Sequence, residues 1–114
     1  MEDRYGNMHT AANGFNSYEM EFEAGMIFIV ATMIEKKFGA QTKFPVFGLD
    51  IWVIDFSING VPMSLGWDIW SSLFIMADNQ EGNPIVEQIA DFLEANIEKL
   101  TRENERMKVK NKKK

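Results

Sequence analysis

The 114-residue chain has no cysteine, one histidine and three prolines. Without thiols there is no disulfide framework, thiolate nucleophile or cysteine-based zinc site. That pattern fits a reducing, cytoplasmic setting. The single His9 falls in a stretch of Gly, Asn and Ala without apolar periodicity, so neither a histidine dyad nor a histidine-rich metal site is expected. Long hydrophobic runs are missing as well. The most apolar stretch, Ala24 to Ile34, is far short of the roughly 20 residues a membrane helix needs. The opening "MEDRYGNMHT" is acidic and lacks an apolar core region, so no signal peptide is expected. There is no glycine-rich phosphate loop, G-x-S-x-G elbow or H-E-x-x-H helix. No catalytic, cofactor or metal residue is assigned, and the chain is not expected to be an enzyme.

Cations are scarce over most of the chain. Residues 102–114, "RENERMKVKNKKK", hold seven Lys/Arg and two Glu, a charge of +5. The overall charge is −5, so residues 1–101, with five Lys/Arg and fifteen Asp/Glu, carry −10. An acidic body repels phosphate, so nucleic acid is not the expected ligand of the fold. A basic protein partner is. The terminal lysines read as a solubilising tail that suits the negative end of a helix.

What is present is enough for one globular domain, with 46% hydrophobic and 25% charged residues. Residues 1–15 read as a flexible leader, 16–107 as a single α+β domain and 108–114 as a basic tail. Asn16 and Ser17 look like a helix N-cap, with Glu19 in a capping-box position. Tyr18, Phe22, Met26, Ile29 or Val30, and Met33 recur at helical spacing, and Gly39 supplies a stop. The expectation is therefore a helix from residue 16 to Gly39. A competing reading stands beside it: "YEMEFE" alternates strictly and suits a strand ending at Gly25.

The middle of the chain is better defined. Asn59-Gly60 between apolar runs is the signature of a two-residue hairpin. Pairing across it sets Ile58 against Val61, Phe56 against Met63, Ile54 against Leu65 and Trp52 against Trp67, all apolar and on one side. Asp55 opposite Ser64 and Asp68 opposite Ile51 fall on the other, polar side. A third strand, about 70–77, has two fairly apolar faces, between which periodicity does not choose. "ADNQEGNP" reads as a loop; its likeness to a calcium loop fails on the position of Gly82. Asn83-Pro84 then reads as N-cap and first residue of a final helix with Ile85, Ile89, Phe92 or Leu93, Asn96 or Ile97, and Leu100 in its buried stripe. Residues 41–48, with Pro45 and Gly48, form a connector or short edge strand. The expected fold is a small α-β-β-β-α domain, an antiparallel three-stranded meander with N- and C-terminal helices packed on one face.

Trp67 belongs to the core by this register, whereas Trp70 follows a bend and reads either as core or as an interface anchor beside Asp68. Asp55 and Asp68 lie about 13 Å apart along the ladder, too far for a shared acid–base role. Asp50, Asp55, Asp68 and Trp70 are instead the candidate partner-binding residues on the outer sheet face. In size, acidity and absence of cofactor motifs the chain resembles, in composition, small cytoplasmic inhibitors such as immunity proteins that neutralise cationic nuclease toxins. The other reading is a self-associating structural domain, for instance a homodimer, or a small-ligand-binding domain walled by the third strand.

Overall fold

The computed structural model describes residues 4–112, so residues 1–3 of the expected leader and Lys113 and Lys114 of the tail lie outside the described residues. The element order is β1 (Asn7–Thr10), β2 (Asn16–Met20), α1 (Met26–Phe38), β3 (Gln41–Thr42), β4 (Val46–Phe47), β5 (Ile51–Ile58), β6 (Val61–Asp68), β7 (Ser72–Ala77), α2 (Asn83–Ala95) and α3 (Ile97–Lys112). A single 3-10 turn, Gln80–Gly82, leads into α2. The chain is thus a mixed helix–strand fold with an antiparallel sheet, but the sheet has seven strands rather than three. Their order is β1-β2-β7-β6-β5-β3, with β4 also pairing along β5.

The central hairpin follows from its turn. Asn59 and Gly60 have φ of 52° and 80°, the positive values a type I′ turn requires at both positions. From it run eight consecutive pairs, Ile58↔Val61 through Ile51↔Asp68, in the register that alternation dictates. Ile54, Phe56, Met63 and Leu65 are buried on one side with Leu73, Ile75 and Ala77 of β7. The helices supply the other half of that core through Met26, Ile27, Val30 and Ile34 of α1, Val86, Ile89 and Leu93 of α2, and Leu100 of α3. All three helices therefore pack on one face, and among the described residues no helix covers the opposite face of the sheet.

Four expectations change. The helix drawn from residue 16 begins at Met26, and Asn16–Met20 is a strand. Alternation wins here because Tyr18, Met20 and Phe22 point into the core, with Glu19 and Glu21 facing out. Gly39 does end α1, left-handed at φ 67° with its N–H donated to the Glu35 carbonyl. Residues 7–10, inside the stretch read as a leader, form β1 and pair with β2 from Asn7↔Glu19 to Thr10↔Asn16. Asn83 does not cap α2; its Oδ1 accepts from Asn16 N–H at 2.7 Å and its Nδ2 donates to the Gly14 carbonyl at 3.0 Å. The final helix breaks at Asn96, whose side chain donates to the Phe92 carbonyl at 2.8 Å. The break lets α3 turn and pack separately, with Asn104 accepting from Glu23 N–H at 2.7 Å and Met107 against Gly25.

Candidate functional site

The uncovered face is built by the same alternation that builds the core. Gly66 in β6 faces outward, and a Cβ there would stand 2.3 Å from Cζ of Phe74. The missing side chain leaves room for the far edge of the Phe74 ring over β6, where the ring is buried on the outer side of the sheet. Strand β7 is internal, paired with β2 on one side and β6 on the other. Its residues Leu73, Ile75 and Ala77 enter the core, which settles the choice periodicity left open.

The four residues expected to bind a partner separate into two groups. Asp50 is exposed in the bend before β5. Asp68 closes β6, and its Oδ1 accepts from the backbone N–H groups of Trp70 at 2.9 Å and Ser71 at 2.5 Å. Its carboxylate thus shapes the turn, as short acidic side chains commonly do. Trp70 stands at the tip of that turn, 78% exposed, with no aromatic ring packed on it among the described residues. Asp68 pairs with Ile51, so Asp50, Asp68 and Trp70 share one end of the sheet. Asp55 does not join them. It lies opposite Ser64, whose hydroxyl is 3.2 Å from the Asp55 carboxylate and 2.9 Å from that of Asp78. Trp67 sits on the core side, 6.5 Å ring to ring from Trp52, with its indole N–H donated to the Phe22 carbonyl at 2.8 Å.

Beside Trp70 lies a cleft of about 370 Å³, lined by Tyr5, Asn7, Glu19, Met20, Glu21, Trp70, Ser71 and Ser72. Glu19 reaches it from the outer face of β2, and Glu21 follows directly after that strand. Tyr5 stacks on Phe22 with ring centroids 5.1 Å apart and donates its hydroxyl to the Glu21 carbonyl at 2.8 Å. Burial raises the Tyr5 phenol above its ordinary value, against a lowering by Lys108 and with smaller contributions from Glu21 and Glu105. It is therefore neutral at physiological pH and keeps its proton to donate. Ser72 has φ of 60°, a left-handed conformation that is costly for a residue with a side chain. None of Tyr5, Glu19 or Glu21 is a candidate under the helical reading. The strict alternation of "YEMEFE" is the signal that places both glutamates outward.

A second exposed surface runs along the β4 edge. Phe44, Val46, Phe47, Leu49 and Ile51 are all exposed, Phe44 by 93%. Phe47 packs edge-on against Trp52 at 5.1 Å and tilts against Phe28 at 6.0 Å, so its ring is held although one side faces solvent.

Among the described residues no group of three or more His, Cys, Asp or Glu could hold a metal ion, and no helix is long and apolar enough to cross a membrane. Comparison with protein-family models, curated proteins and solved structures gave no match. The functional reading therefore rests on the residues themselves.

Proposed function

We propose that this chain is a protein-binding module that captures a basic partner through the end of its sheet carrying Trp70. The observation that carries this reading is one large indole, 78% exposed, beside a cleft bearing two glutamates. A tryptophan of this kind is the commonest sort of interface anchor, and leaving it in water has no benefit to the isolated fold. The −10 charge over residues 1–101 would steer a cationic protein toward it and speed the encounter. An inhibitor of the immunity type, which blocks a cationic nuclease by covering it, is one form such a module takes. Asp50 fits the reading as a rim charge. Asp68 supports it indirectly, by holding the turn that presents Trp70.

The test is differential capture followed by kinetics on the purified pair. The parent chain should retain a protein of net positive charge that a Trp70→Ala, Glu19→Gln, Glu21→Gln variant does not. Retention of the same proteins by both would remove this surface from the account.

The exposed β4 edge favours a second reading, self-association. Contiguous exposed apolar side chains at a sheet edge are a common dimer seam. Sedimentation of the parent against a Phe44→Ser, Leu49→Ser variant separates the two. A parent that is dimeric at micromolar concentration, and a variant that is monomeric, would establish the edge as an interface between copies.

A further inference from the structure

We propose that the cleft between Tyr5 and Trp70 is a receptor for one arginine side chain, with the indole stacking on its guanidinium and Glu19 and Glu21 taking its N–H groups. The proposal rests on the reading above and names the chemical group recognised. Each wall of the cleft has a role. Trp70 offers a large exposed ring at the hairpin tip, and an indole face is the best cation–π surface among the side chains. Glu19 and Glu21 are two apart on β2 and its continuation, so both carboxylates reach the same side. Two acceptors near one aromatic plane suit a planar fork of five N–H donors better than the compact ammonium of lysine. Tyr5 closes the far wall, fixed by its stack on Phe22 and its hydrogen bond to the Glu21 carbonyl.

Among the described residues no lysine or arginine lines this cleft. Arg4 is paired with Asp91 of α2, and Lys108, which influences Tyr5, is paired with Glu105 at 3.4 Å. Lys36 and Lys37 lie in the last turn of α1. Glu19 has His9 at 3.6 Å, an exposed contact on the outer face that leaves its second carboxylate oxygen for a ligand. The Asp68 carboxylate, accepting from the Trp70 and Ser71 N–H groups, holds the turn that sets Trp70 at the cleft.

The experiment is a titration of the full chain with Nα-acetyl-arginine N-methylamide, followed through the Trp70 indole N–H and the Asn7 amide in NMR spectra. The citrulline analogue, equal in shape but uncharged, and the lysine analogue are run alongside. Saturable shifts confined to Trp70, Asn7 and residues 71–72 are expected for the arginine probe, weaker ones for lysine and none for citrulline. Affinity should fall about tenfold or more in Glu19→Gln, Glu21→Gln and again in Trp70→Ala, with the remaining spectrum unchanged as proof of folding. Equal shifts from arginine and citrulline, or shifts unaffected by these substitutions, would overturn the proposal. If a basic partner still associates through Trp70 while the arginine probe leaves the cleft untouched, the cleft is wrong and the broader reading survives.

Discussion

Two strand pairs in this sheet are built on opposite principles. The β5–β6 hairpin is joined by two residues and runs through eight consecutive pairs. The β1–β2 ribbon has four pairs, and residues 11–15 connect it. Apolar alternation and turn chemistry suffice for the first. The second is tied down from outside by side chains of α2. The Glu94 carboxylate accepts from the N–H groups of Tyr5 at 3.1 Å and Gly6 at 2.9 Å and from the Tyr18 hydroxyl. Asp91 pairs with Arg4, and Asn83 holds Asn16 and Gly14. One pair is locally encoded and the other is tertiary, yet it is the tertiary one that contributes Glu19 to the cleft.

The comparison can be broken most severely at β7, which touches both pairs. Ile75 is fully buried and sits between Tyr18 of β2 and Leu65 of β6. Ile75→Ala should cost about 2–5 kcal/mol, measured by chemical denaturation, and should loosen both pairs together. Gly60→Val tests the local code alone. Its φ of 80° resists a β-branched residue, so a loss of about 1–3 kcal/mol is expected, and an unchanged midpoint would contradict the turn. Glu94→Ala tests the tertiary tether. It leaves the buried Tyr18 hydroxyl without its carboxylate partner, a loss of about 1–3 kcal/mol. Hydrogen exchange should accelerate at residues 5–10 and 16–20 while the β5–β6 amides stay protected.

Smaller effects sharpen the same contrast. Tyr5 holds its proton more tightly in the fold than in the unfolded chain. Its contribution is therefore complete below about pH 10 and is lost as pH rises beyond that, because the unfolded state ionises first. Tyr5→Phe should abolish that alkaline loss of stability. Deleting residues 108–114 should change the melting temperature least of all. Val109 is exposed, and Met107, which packs on Gly25, is kept in the shortened chain.

How much of this was legible follows the same division. The hairpin register, the core side of Trp52 and Trp67, the stop at Gly39 and the outward placing of Asp55 and Asp68 could all be read, because each depends on neighbours within a few residues. The strand at Asn16–Met20 stands in the sequence only as the competing reading, because Asn16, Ser17 and Glu19 imitate a capping box. The residues that overrule it, Asn83, Glu94 and Ile75, lie far along the chain. Asn83 imitates a cap in the same way and is drawn away by Gly14 and Asn16. Of the residues grouped in the binding proposal, Trp70 and Asp50 are legible from the sequence, and they share one end of the sheet. Asp55 was grouped with them by face alone, and the ladder places it elsewhere. Tyr5, Glu19 and Glu21 required the correct strand assignment.

The hairpin turn needs the Asp68 carboxylate, which accepts from the Trp70 and Ser71 N–H groups, so the charges to reverse are those of Glu19 and Glu21. The most direct test of the account is the association rate of the parent with its captured basic partner, measured from low to high salt. The rate should fall steeply as salt rises, and Glu19→Lys, Glu21→Lys should lower it and flatten that dependence. Trp70→Ala should act mainly on dissociation, at a cost of about 2 kcal/mol or more. An association rate indifferent to salt, with dissociation unmoved by Trp70→Ala, would contradict electrostatic capture at this end of the sheet.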